Sequence, residues 1–149
     1  MIYLVFAQTH EPRVDVPAIA DHGRKFFRCD IECKRPAEAP VLSVVLDTGA
    51  STELKVRPRK ASRDDHYAAR EAETRGQAAG MGALAEKCEC VWQAEFDDDA
   101  PPAAVFAACG ALASVALGPV LPPDRSTLFG VRGALERLTL AQAGETLQP

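Results

Sequence analysis

The stretch "VLSVVLDTGAST", residues 41–52, decides how this chain is read. Val41 to Leu46 is apolar apart from Ser43, the composition of a strand flanked on both sides within a sheet. The run ends in Asp47, and the small-residue turn Thr48-Gly49-Ala50 follows at once. An ionised carboxylate at the end of a buried strand is costly unless it has partners. Working outward, "RKFFRCDIECK" (residues 24–34) places Phe27, Cys29, Ile31 and Cys33 on one face, with Arg28, Asp30 and Glu32 on the other. That is a half-buried strand. "RPAEAP" (residues 35–40) is turn chemistry, so the two strands read as an antiparallel hairpin.

At 149 residues the chain suits one compact domain spanning residues 1–149. Its 47% hydrophobic and 26% charged residues fit a soluble globular protein, and a net charge of −4 gives no general attraction to nucleic acid or to an anionic membrane. The basic run "KVRPRK" (Lys55 to Lys60) reads as a solvated turn. The N-terminus carries one short apolar run, too little for a signal peptide or a membrane span, so a cytoplasmic protein opening with a strand over Ile2 to Ala7 is expected. Cys29, Cys33, Cys88, Cys90 and Cys109 do not follow a zinc framework, and core packing is their expected role. His10, His22 and His66 lie in polar stretches and read as surface residues.

Further along, "SRDDHYAAREAETR" (residues 62–75) predicts a short exposed helix with a thin apolar stripe, and "GQAAGMGAL" (residues 76–84) is too rich in glycine to hold a stable one. "EKCECVWQAEF" (residues 86–96) alternates clearly, with Cys88, Cys90, Trp92, Ala94 and Phe96 inward, and "DDDAPP" closes it as an acidic turn. Residues 101–117 are ambiguous. Alanine content favours a helix, whereas Val105, Phe106, Val115 and Leu117 around Gly110 fit two short buried strands. Ser126 to Phe129 reads as a strand, followed by a glycine break, a short helix with Leu135 and Leu138 inward, and a terminal hairpin turning near Gly144.

This order of elements resembles the retropepsin-like aspartic proteases over about residues 25–147. Val45, Leu46, Asp47, Thr48, Gly49 and Ala50 match the family's catalytic motif, and Leu128, Phe129 and Gly130 before "ALERL" match its C-terminal element. Gly80, Met81 and Gly82 stand where the family carries a glycine-bearing flap. The family commonly carries Arg, Asn or Asp soon after this glycine, whereas here Val131 intervenes before Arg132. The resemblance implies an all-β fold, a closed barrel with one or two short helices, working as a homodimer without metal or cofactor.

It further implies endopeptidase chemistry on a peptide or protein substrate. Two aspartates about 3 Å apart would share a proton around one water, one acting as base and the other as acid. No second such motif exists in the chain, so Asp47 must meet its symmetry mate from another copy. By the same resemblance Thr48 bonds across the dimer axis, Gly49 orients the carboxylate and Ala50 keeps the site small. A flap around Gly80, Met81 and Gly82 would close over the peptide. Two alternatives stand beside it: a non-catalytic dimerisation or peptide-binding module of the same fold, and an α+β binding protein in which residues 101–117 are a packed helix.

Overall fold

The computed structural model describes residues 1–147. Strands β1 (Ile2–Ala7), β2 (Cys29–Arg35), β3 (Val41–Leu46), β4 (Ser51–Lys60), β5 (Cys90–Phe96) and β6 (Val120–Leu121) form one six-stranded sheet in the order β2-β3-β4-β5-β1-β6. All neighbours are antiparallel, and β2 and β6 end the sheet at opposite edges. Among the described residues there are five helices: α1 (Val16–Phe26), α2 (Arg63–Gly76), α3 (Met81–Glu86), α4 (Pro102–Ala116) and α5 (Val131–Leu147). With 42% helix, 27% strand and an open sheet, the fold is mixed α/β. The expected all-β closed barrel is overturned, because the edges never meet and the helices supply most of the cover.

Period-two alternation of the strands divides the interior into two cores. Tyr3, Val5 and Ala7 of β1, with Trp92, Ala94 and Phe96 of β5, face α1, α4 and α5. Phe6 and Val91, on the opposite face, pack with Ala68, Ala69 and Ala72 of α2 and with Ala85 of α3. On that second face α2 and α3 cover only the β5-β1-β6 end. The β2-β3-β4 end stays open, carrying Asp30, Glu32, Glu53, Lys55 and Arg57, with Val45 41% exposed. β3 therefore has neighbours on both sides, as expected, but buries only one face.

Several local expectations change for identifiable reasons. α4 is helix, not two strands: Gly110 is not a break but a notch, since a Cβ there would lie 2.1 Å from Phe27 Cε1. The basic run is not a turn but the end of β4, which continues past its last β3 pair at Lys55. Beyond that point one edge of β4 has no β3 partner, so Pro58 costs no ladder bond to that strand. The glycine-rich segment holds the six-residue α3 after all, because Gly80 enters it at φ +88° and the Gly82 N–H donates to Glu73 Oε2 at 2.7 Å. α5 replaces the short helix and terminal hairpin, carrying Gly133 and Gly144 within it. Phe129 makes only an isolated bridge to Val120, and Leu135 is exposed while Leu138 is buried. Ser62 caps α2 in a capping box with Asp65, which fixes this helix where it was expected.

Candidate functional site

Asp47 occupies the tip of the β3–β4 hairpin. The Gly49 N–H donates to the Leu46 carbonyl at 2.9 Å, and the Leu46 N–H to the Ala50 carbonyl at 2.8 Å. Gly49 has φ +94°, so this is a three-residue hairpin loop with glycine in the left-handed position. Asp47, Thr48 and Gly49 are all exposed. The carboxylate that looked costly is in water, and that resolves its placement. Gly49 is there because the turn needs a left-handed residue, whereas the Asp47 side chain makes no hydrogen bond among the described residues.

The other expected site residues lie elsewhere. Gly80, Met81 and Gly82 open α3 rather than a β-hairpin flap, which corrects that assignment. Leu128 and Met81 share the second core, and a Cβ on Gly130 would lie 3.6 Å from Met81 Cε. Phe129 and Ala50 belong to the first core. Two of the three expected elements thus come together, residues 80–82 and 128–130, while the hairpin of residues 47–50 does not join them.

The cysteines behave mainly as core residues. Cys29, Cys88, Cys90 and Cys109 are buried and Cys33 is exposed, all as free thiols. Burial pushes the Cys29 thiol up to about 12, the charges of Asp30 and Asp47 adding to it, and pushes Cys88 to about 11. Thiols held protonated in this way are poor nucleophiles. His10 is exposed, whereas His22 and His66 are half-buried against Ser114 Oγ at 2.6 Å and the Cys88 carbonyl at 3.0 Å.

A different site emerges where β1 runs out. Gln8 ties the strand end to α4, its N–H donating to the Ala116 carbonyl at 2.9 Å and its Nε2 to the Leu117 carbonyl at 2.6 Å. The following loop is held by His10 Nδ1 against Glu89 Oε2 at 2.8 Å and by Lys60 Nζ donating to the His10 carbonyl. It ends where Asp15 caps α1, accepting from the Ala18 N–H at 3.1 Å. Under this strapped loop lies a cavity of about 490 Å³ lined by Thr9, Glu11, Arg13, Trp92 and Val115 among others.

Trp92 is the buried residue among those that line this cavity. The side chain is 1% exposed, and its Nε1 is the one buried side-chain polar atom without a hydrogen-bond partner among the described residues. A buried donor left unpaired costs about 1–3 kcal/mol. Pro58 lies directly opposite Trp92 across β4 and β5, and it lines a second cavity of about 510 Å³ that shares Arg13 with the first. The sequence marks Trp92 as an inward core residue; its missing acceptor is not readable, because it depends on what α4 and the loop bring alongside.

On the opposite sheet face, Arg59 grips Asp65 through Nη1 at 2.5 Å and Nη2 at 2.9 Å, and donates from Nε to Gln93 Oε1 at 2.8 Å. Desolvation raises the Asp65 carboxyl, but hydrogen bonds from Arg59 and Ser62 outweigh it and hold the group below the usual carboxylate range. All of these Arg59 donors are engaged within the chain, so the network fastens α2 to the sheet. Among the described residues no helix is long and apolar enough to cross a membrane. No protein-family model matches the chain, and no curated protein or solved structure is similar to it.

Proposed function

We propose that this chain is a binding module for a small organic molecule, held in the cavity beneath the loop of residues 9–15. One observation carries the reading: the Trp92 Nε1–H is buried without an acceptor in a residue that walls a cavity of about 490 Å³. Ligand sites are concave, largely apolar and supplied with few polar groups, and an unused donor beside such a space calls for an acceptor from outside the chain. Five free cysteines favour a reducing compartment, and the cytoplasm is the reading we adopt.

The experiment is a fragment titration of the full chain followed by the emission of Trp92, its sole tryptophan. At least one compound is expected to shift the emission saturably. Trp92→Phe, which has no tryptophan emission and is titrated by calorimetry, then weakens its binding about tenfold, the worth of one hydrogen bond in a buried site. Fragments that leave the emission unchanged throughout would overturn the reading.

An aspartic endopeptidase remains the second reading, on one observation, the motif from Val45 to Ala50. It requires two hairpin tips to meet across a twofold axis so that the Asp47 carboxylates share one water. We favour binding over hydrolysis because the motif also accounts for itself as a turn, and because the barrel that gave it meaning is gone. Dimerisation by sheet extension has β2 as its longer edge, since β6 at the other end is two residues long. The β2 edge carries Asp30, Glu32, Lys34 and Arg35 with a bulge near Cys33, features that deter strand addition.

A further inference from the structure

The charges around the same cavity narrow the class of ligand. Four charged or titratable side chains line it besides Trp92, and two are already committed. His10 pairs with Glu89, and Asp15 is held by the Ala18 N–H at the start of α1. Glu11 and Arg13 remain, flanking Pro12, and neither side chain has a hydrogen bond or ion pair among the described residues. One acid and one base therefore line a common space without protein partners, and Trp92, which also lines it, holds a buried N–H donor without an acceptor.

From this juxtaposition we infer that the ligand is a zwitterion of the α-amino-acid class with an apolar side chain. The inference rests on the binding reading above. The ligand's carboxylate accepts from the Trp92 indole N–H and meets Arg13, and its ammonium group meets Glu11. An amino acid separates these two charges by a short, fixed span, so both unpaired side chains are answered by one molecule. The apolar side chain has a place to go. The neighbouring cavity shares Arg13 and is walled by Val14, Val16, Pro36, Pro40 and Pro58, with Glu38 at its rim. Prolines hold this wall rigid at little entropic cost, which favours a preformed pocket.

The test titrates the full chain with leucine, leucinamide, N-acetyl-leucine, isoamylamine and isocaproate, reading Trp92 emission and calorimetric heats. Leucine is expected to bind, and removing or blocking either charge weakens binding at least tenfold. Arg13→Gln reduces leucine to the affinity of isoamylamine, and Glu11→Gln reduces it to that of isocaproate. Both positions are exposed, so the variants keep the fold. If the analogues bind as well as leucine, the zwitterion is wrong while the cavity stands. If none of this set perturbs Trp92 but an unrelated fragment does, the inference fails and the binding reading survives. If nothing perturbs it, both fall.

Discussion

Replacing Gly110 with alanine tests the packing that distinguishes this fold from the barrel. Gly110 lies within α4, where helix propensity alone makes alanine better by about 1 kcal/mol. The structure predicts the opposite sign. An added Cβ would sit 2.1 Å from Phe27 Cε1 and 2.3 Å from Phe27 Cζ, and Phe27 is 1% exposed. The ring must shift within a filled core or leave it. Overpacking of this kind costs about 1–3 kcal/mol, and expulsion of a buried phenylalanine approaches about 3–5 kcal/mol. After the propensity gain, a net loss of about 2 kcal/mol is expected, or about 4–8 °C in Tm for a domain of this size. Urea and thermal unfolding followed by Trp92 emission and far-ultraviolet dichroism give the number. Combining Gly110→Ala with Phe27→Leu should recover at least about 1 kcal/mol relative to the sum of the single variants. A Gly110→Ala protein that is more stable than the parent would refute the close packing of Phe27 against α4.

Asp65→Asn removes the ionic grip of Arg59, which is 32% exposed and so screens part of the loss; destabilisation of about 2 kcal/mol is expected in urea. The native Asp65 carboxyl titrates below its unfolded value, so its stabilisation is present above about pH 4 and fades as pH falls through the lowered native value. Asp65→Asn therefore flattens that acid limb of the stability–pH curve. Gly49→Ala strains a φ of +94° in open space and should cost about 1–2 kcal/mol by urea unfolding, with Trp92 ligand binding unchanged. Asp47→Asn alters stability by less than about 0.5 kcal/mol, as a solvated hairpin tip should. The parent chain leaves a peptide library intact at mildly acid pH; cleavage that disappears in Asp47→Asn would instead establish the endopeptidase.

The strands are legible in the sequence because alternation is a local property. Ile31, Cys90, Trp92, Ala94 and Phe96 point inward as their period requires. β1, the β2–β3 hairpin and the helix beginning after Ser62 are legible for the same kind of reason, a clear pattern bounded by clear stops. α1 does leave a trace that reading residues 1–24 as a strand and a loop passes over: Val16, Ile19, Ala20 and Gly23 recur at helical spacing behind the Asp15 cap and Pro17. α4 is ambiguous because it is buried between the sheet, α1 and α5, so apolar residues occupy nearly every face and no period survives. The run Lys55 to Lys60 looks like a loop because Lys55 and Arg57 point to an open sheet face, Arg59 and Lys60 reach partners far along the chain, and Pro58 sits where β4 has no β3 partner. The motif at Asp47 misleads on its own. A left-handed glycine is required by an ordinary hairpin loop as much as by a protease site, an exposed aspartate is tolerated beside it, and only the surrounding fold separates the two. The candidate site leaves weaker traces: a single inward tryptophan, and opposite charges on either side of Pro12. What joins them is the return of α4 beside the end of β1, a contact between residues far apart in the chain.

The central claim is that the Trp92 Nε1–H waits for an acceptor from outside the chain, and one tryptophan means one indole N–H resonance in a nitrogen–proton correlation spectrum. Titrating the full chain with leucine should move that resonance downfield, as formation of a hydrogen bond demands. An indole resonance that keeps its position while a ligand binds would contradict that claim.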